Sequence, residues 1–421
     1  MRVDDGGAGG GGAGHDPGPP GGPARLPRGL TVAFGLVVVV AFGSWFYGYG
    51  VLVEPIVRET GWSESALSSA YGIGLLGVGV GAVVAGRVVD RWGGRPVFLG
   101  GAAGTLVGTV VVALAPSAPV FVVAAVLTQT CVGGAGYYAA VHATISRLVP
   151  AARVRAITTN TLWGAFASPV FLPLVAWLVL GVGWRAAIAI VGATVVAAFA
   201  LAAALVPPMP PASPSPRSLA GDLAHAVRSP LTRRLLVVAL CGGAASSVMF
   251  LYQVPAMVTA GLALGTASAL AGLRGLFQLA GRLPLPWAVR RVGARPLFRA
   301  SIAAMGVGSL LLLASGNLVV ALTFAVVVGT AVGALTTLES IYAAEIVTAS
   351  MLGTVLGAYS LVRGIGSALG PVGAGLVTEA TGGRALALVV VAVIAVVGAV
   401  AVPPPAPRPE QPAGRPGPAG A

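Results

Sequence analysis

Three ionisable side chains stand inside long apolar stretches of this chain: Arg274 in AGLRGLFQ, Glu339 in TTLESIY and Arg363 in SLVRGIG. An ionised group near the middle of a membrane-crossing helix costs roughly 2.5–3.5 kcal/mol on insertion scales, so it persists where it faces a cavity or a partner. The guanidinium is a planar fork of donors that fits a carboxylate two bonds at a time. Two such forks, Arg274 and Arg363, facing one cavity would bind a small organic anion. Glu339 suits a proton carrier or counter-ion, because its protonation answers both to burial and to a neighbouring arginine. The alternative is a permanent pair of Glu339 with Arg274 or Arg363 that knits helices together. His142 is a second titratable candidate, and also fits a plain helix-end residue. Tyr49, Tyr137, Tyr252 and Gln278 supply hydroxyl and amide groups that could orient a bound solute, as do Tyr47, Tyr138, Asn160, Trp163 and Gln253; each fits helix packing equally well.

The elements that must position these groups follow from composition. Of 421 residues, 56% are apolar and 9% charged, too few charges to clothe a water-soluble surface. Twelve apolar runs are each long enough for a helix through a bilayer core of about 30 Å: 30 to 53, 66 to 86, 96 to 114, 119 to 144, 156 to 180, 185 to 206, 234 to 257, 264 to 283, 297 to 314, 317 to 343, 351 to 377 and 385 to 402. They lack strand alternation, so helices rather than a barrel satisfy their backbone in lipid. The expected organisation is a Gly- and Pro-rich disordered tail (1–28), a six-helix bundle (29–206), a linker (207–233), a second six-helix bundle (234–402) and a disordered tail (403–421). In the linker, Leu219, Leu223, Ala226 and Val227 share a helical face, which suits a short helix lying on the membrane surface. Cys131 and Cys241 fall in apolar runs as buried thiols, with no metal site or disulfide expected.

All 25 basic residues are arginines, and the net charge is +13. With the N-terminus in the cytoplasm, twenty of them fall in inner loops and tails. Only Arg58, Arg185 and Arg384 fall outside, which sets the orientation with both termini cytoplasmic. The basic excess is therefore a matter of topology, and no nucleic-acid partner is needed to explain it.

The chain also repeats itself. Arg91-Trp92-Gly93-Gly94-Arg95-Pro96-Val97-Phe98 returns as Arg291-Val292-Gly293-Ala294-Arg295-Pro296-Leu297-Phe298, and Gly183-Trp184-Arg185 is answered by Gly383-Arg384-Ala385. Two similar halves of six helices resemble the major facilitator superfamily of secondary transporters. Between the second and third spans that family carries a Gly-x-x-x-Asp-Arg-x-Gly-Arg-Arg type motif, and Gly86, Asp90, Arg91, Gly93 and Arg95 fit it here, with Gly94 the departure. The resemblance implies an all-α membrane protein of two pseudo-symmetric bundles, with the substrate bound between them and exposed alternately to either side. It also implies that Asp90 faces the positive N-terminal end of span 11, with Arg91 and Arg95 completing a gating cluster.

A finer resemblance is to the monocarboxylate transporter and oxalate:formate antiporter branch, carried by Tyr49-Gly50-Val51-Leu52-Val53-Glu54-Pro55, Gly61-Trp62-Ser63, Gly136-Tyr137-Tyr138 and Ile145-Ser146-Arg147. It implies basic substrate ligands in spans 8 and 11, which Arg274 and Arg363 match by span. The expected partners are a small-molecule substrate, lipid and protons, in a monomeric, multi-pass protein of the bacterial inner membrane, with no cofactor. A proton-driven exporter of drugs or natural products is the rival. The arginine and Gly-Pro that such exporters often carry in spans 4 and 5 are absent, where this chain has Leu127-Thr128-Gln129 and Ser168-Pro169. An enzyme is not expected, since no His-Glu-x-x-His, Gly-x-Ser-x-Gly or phosphate-loop motif occurs.

Overall fold

The computed structural model describes residues 26–209, 229–346 and 349–404, without the side chains of 151, 154, 344 and 349–354. The linker helix and residues 1–25 and 405–421 of the two tails lie outside the described residues, and the first helix begins at Arg28. Within them the chain is all-helical. Nine of the described helices are long and apolar enough to cross a membrane. One of these, Arg155–Leu205, contains two of the expected spans, because the long helix Ala167–Leu205 is interrupted at Gly183 (φ 79°, ψ 164°). The chain reverses there: Gly43 packs on Phe171, while Thr109 packs on Gly192 and Phe98 on Phe199, so the two limbs run in opposite directions. The shorter helices Leu264–Arg282 and Ala385–Ala401 stand at the expected spans 8 and 12.

Glycines mark the repeat as clearly as the arginines do. The described glycines with positive φ fall into three pairs about two hundred residues apart: Gly61 and Gly261, Gly93 and Gly293, Gly183 and Gly382. Gly93 and Gly293 each end one helix and start the next, at φ 83° and 88°. A side chain there would meet the steric penalty of the left-handed region. The loop conformations of the first half are thus rebuilt in the second.

Helices are drawn together by small residues, as in lipid they must be, since burial from water adds little between apolar helices. Gly77 and Gly81 of span 2 lie against Thr130 and Gly134 of span 4. Gly329 and Gly333 of span 10 lie against the backbone of Arg274 and Gln278 in span 8. That second pair, one helical turn apart on both helices, fixes where the arginine stands.

Two spans are broken where the aromatic residues gather. Span 1 runs as Arg28–Ala41, a π-helical turn Phe42–Tyr47, and Tyr49–Thr60, with the Gly48 amide donating to Gly43 O at 2.9 Å. Span 4 breaks at Tyr137 between Ala118–Gly136 and Tyr138–Leu148. Interrupted helices of this kind occur in membranes only where protein or a cavity satisfies the freed backbone.

Candidate functional site

Arg274 is fully buried in the middle of span 8. Its Nε donates to Gln253 Oε1 at 2.9 Å, and Gln253 is held in turn by a bond from Nε2 to Phe250 O at 3.2 Å. The guanidinium carbon lies 4.6 Å from the centre of the Phe250 ring and 5.4 Å from that of Tyr47. The Tyr47 hydroxyl also faces this charge, but Nη1 and Nη2 have no partner of hydrogen-bond geometry. No carboxylate among the described residues pairs with it. Arginine stays protonated in proteins, so a full positive charge is buried with two donor groups unused.

Both halves build the wall around it. Phe250 and Gln253 come from span 7, while Tyr47 comes from the π-helical turn of span 1. Phe46 packs on Phe250 at 5.4 Å, and Phe42 stacks on Tyr137 at 4.1 Å and 11°. The Tyr137 hydroxyl is buried with no partner. Tyr71 donates to Phe46 O at 2.9 Å, fixing the carbonyl of the widened turn. Within the π turn the rings of Phe42, Phe46 and Tyr47 lie 5.0–6.5 Å from one another. A buried cation and aromatic faces from both halves therefore meet at Arg274, with the Tyr137 hydroxyl buried beyond Phe46.

Arg363 is placed differently. Its Nη1 donates to Glu339 at 2.5 Å, so span 11 is tied to span 10 by an ion pair. Arg363 Nη1 lies beside Gly242 of span 7, whereas Arg274 lies over Phe250. Eight residues of helix separate those levels, about 12 Å at 1.5 Å per residue. The structure does not bring the two arginines into one anion clamp; it realises the Arg363–Glu339 pairing that the sequence left open.

The remaining candidates divide. Gln278 is buried one turn from Arg274 on the same helix. Tyr49 donates to Leu67 O at 2.8 Å and ties span 1 to span 2, away from Arg274. Tyr252 bonds Ser68 at 3.3 Å and Thr378 at 3.2 Å, in the seam between the halves. His142 Nε2 is 3.1 Å from Asn160 Oδ1, and its ring stacks on Tyr138, within the first half. In the motif after span 2, Asp90 is exposed, with no ion pair of its carboxylate among the described residues. Arg147 instead donates to the carbonyls of Val89 and Asp90, and Arg91 lies over the ring of Trp92. Arg95 is exposed. The expected partner of Asp90, the N-terminal end of span 11, falls at residues 347–354, outside the described side chains.

Sequence reasoning missed Phe42, Phe46, Phe250 and Tyr71. Aromatic residues are ordinary in membrane helices, and nothing in their spacing announces a π turn. Two apolar grooves, about 640 Å³ along spans 3 and 4 and about 340 Å³ among spans 7, 11 and 12, do not touch Arg274. Arg274 is fully buried, so its chemistry rather than an open cavity marks the candidate site.

The Major Facilitator Superfamily model matches residues 33–271 and 246–420, nearly the whole chain. The chain belongs to the major facilitator superfamily. Solved structures of similar fold include the nucleoside transporter NupG, at TM-score 0.73 and 14% identity, covering 89% of this chain and 98% of that one. An auto-inhibited peptide transporter of the POT family aligns at TM-score 0.69 and 16% identity, covering 89% and 96%. A D-xylose-proton symporter aligns at TM-score 0.68 and 18% identity, covering 88% and 96%. At these identities they share the fold alone. A search of curated proteins finds no match. As a superfamily member with this fold, the chain is a multi-pass membrane transporter.

Proposed function

We propose that this facilitator moves a small organic carboxylate by alternating access, with Arg274 as the principal ligand. The observation that carries the reading is the buried Arg274 guanidinium, whose Nη1 and Nη2 lack partners. An uncompensated charge in a low-dielectric interior is expensive, and it is retained where a ligand completes it. The walls of Tyr47, Phe250, Phe46 and Tyr137 suit one carboxylate carried on an apolar body. With Arg363 held by Glu339 about 12 Å away along span 7, a compact dicarboxylate such as oxalate fits less well than a monocarboxylate.

Gln253 orients the guanidinium, and Tyr137 and Gln278 are further polar groups for the substrate. The Glu339–Arg363 pair serves coupling: a proton on Glu339 releases Arg363, and the two helices they join can then shift. One protein of similar fold is a D-xylose-proton symporter, which supports proton coupling for this reading. The arginine distribution favours a bacterial inner-membrane protein with cytoplasmic termini. Asp90, Arg91 and Arg95 engage in the opposite conformation, when the arginine-rich end closes.

The test is uptake of labelled monocarboxylates into proteoliposomes under an imposed proton gradient, with R274Q alongside. Saturable uptake that R274Q abolishes is the expected result. Uptake by R274Q at the parental rate, or dye efflux from expressing cells without acid uptake, would overturn the assignment and favour an exporter.

A further inference from the structure

The halves are bolted together at the end of the bundle that carries few arginines. Arg384, at the head of span 12, has a side chain only 11% exposed. Its Nε donates to Glu64 Oε1 at 2.7 Å, and its Nη2 donates to Glu64 Oε2 at 2.7 Å and Glu54 Oε2 at 3.0 Å. Its Nη1 donates to Thr259 Oγ1 and to Pro255 O. The donors of the fork are all engaged. Glu54 and Glu64 belong to spans 1 and 2 of the first half, whereas Thr259 and Pro255 belong to span 7 of the second. One side chain thus joins four spans across the seam. Burial works against the charge on Arg384, but the two carboxylates outweigh it and hold its pKa above the ordinary arginine value.

Beneath this cluster the seam is tight. Ser68 bonds Tyr252, Gly375 lies against Ser65 and Ser68, Gly72 against Ala368 O, and Gly50 against Leu251 O. At the other end Asp90, Arg91 and Arg95 are exposed. The repeat sharpens the contrast. Arg185, the counterpart of Arg384 in the first half, is 42% exposed, stacks on Trp184 and pairs with Glu59 of its own half. The duplicated position carries an arginine twice, and only the second copy reaches across.

We infer that Arg384, Glu54 and Glu64 form the gate at the arginine-poor end: their ion pairs hold the halves closed there, and they must separate before substrate can pass on that side. A lysine at 384 would keep the charge but lose the fork that bridges two carboxylates.

Full-length protein with both native cysteines replaced by serine and Ser68→Cys added reports the state of the seam. Ser68 is fully buried in the closed form. The readout is the labelling rate with a bulky, water-soluble maleimide, in nanodiscs and without substrate, so the result does not depend on what is transported. R384Q is expected to raise the rate about tenfold, within the usual range of conformational coupling, and R384K by less. R185Q is expected to leave it unchanged. The charge exchange E64R/R384E should label more slowly than R384E alone, which a general loosening of the fold would not produce. Should R384Q not yield folded protein, E54Q and E64Q are measured instead, each with an intermediate increase expected. A rate in R384Q or in both glutamine variants within about twofold of the parent, or an equal rise in R185Q, would overturn the gate.

Discussion

Replacing Arg274 by methionine tests the site through two signals of opposite sign. Met has similar reach, fits between Phe250 and Tyr47, and makes favourable sulfur–aromatic contacts. In the parent, Nη1 and Nη2 are buried without partners. An unsatisfied buried donor costs about 1–3 kcal/mol, and more when charged. Removing the cation lifts that cost at both donors, about 2–6 kcal/mol, while buried Gln253 Oε1 is left without its donor at about 1–3 kcal/mol, and the cation–π contacts with Phe250 and Tyr47, about 0.5–2 kcal/mol, are lost. The ligand-free variant should therefore be more stable than the parent by about 1 kcal/mol. Transport should move the other way. Two charge-assisted bonds to a carboxylate, each contributing about 1.5–3 kcal/mol, amount to about 3–6 kcal/mol. At about 1.4 kcal/mol per decade the loss in kcat/KM is roughly 10²- to 10⁴-fold.

The assays are thermal unfolding of detergent-purified protein with and without substrate, and initial uptake rates in proteoliposomes. A saturating substrate at about a hundred times its Kd should stabilise the parent by about 2.7 kcal/mol and leave R274M unmoved. The combination of higher intrinsic stability and lost transport belongs to a binding residue held ready at a cost to the fold. If R274M unfolds at lower temperature and still transports, Arg274 is a packing residue and the reasoning fails.

Other substitutions probe the remaining parts. E339Q and R363Q should each destabilise the protein by about 2–3 kcal/mol, below the 3–5 kcal/mol of a fully buried pair, because the two side chains are 14% and 26% exposed. The double variant should lose less than the sum of the singles in thermal unfolding, and E339Q should lose proton-driven accumulation while keeping substrate exchange. Y137F removes a hydroxyl that has no protein partner, so stability should hold or rise slightly. A simultaneous rise in KM would assign that hydroxyl to the substrate, whereas an unchanged KM would remove Tyr137 from the site. Gly333→Ala drives a methyl group into the Gln278 carbonyl oxygen. It should force spans 8 and 10 apart, at about 1–3 kcal/mol of overpacking, and reduce transport through the displaced Arg274, as measured by unfolding and uptake together.

The apolar spans, the repeated text and the charged residues inside apolar runs were legible because each is a local property. Hydropathy depends only on composition within about twenty residues, and the doubled Arg-x-Gly-x-Arg-Pro text exposes the repeat without any fold. Arg274 stood out for the same reason, as a charge where lipid permits none. Partnership could not be read this way. Arg363 and Arg274 look alike in sequence, and both lie in apolar helices. Only packing gives Glu339 to Arg363 and leaves Arg274 with Gln253 and two aromatic rings.

The π turn at Phe42–Tyr47 belongs to the second kind as well, since it depends on which neighbours accept the widened helix. So does Arg384. By sequence it is one of three arginines on the sparse side, a leftover of the orientation count. In the folded chain it lies within reach of Glu54 and Glu64, more than three hundred residues away. The sequence determined that the chain is built of apolar helices, that their text repeats and which charges need explaining, because insertion acts on each segment by itself. Tertiary structure decided which charge is neutralised, which is buried without a carboxylate among the described residues and which joins the halves, because those are pairings between helices and no single helix contains them.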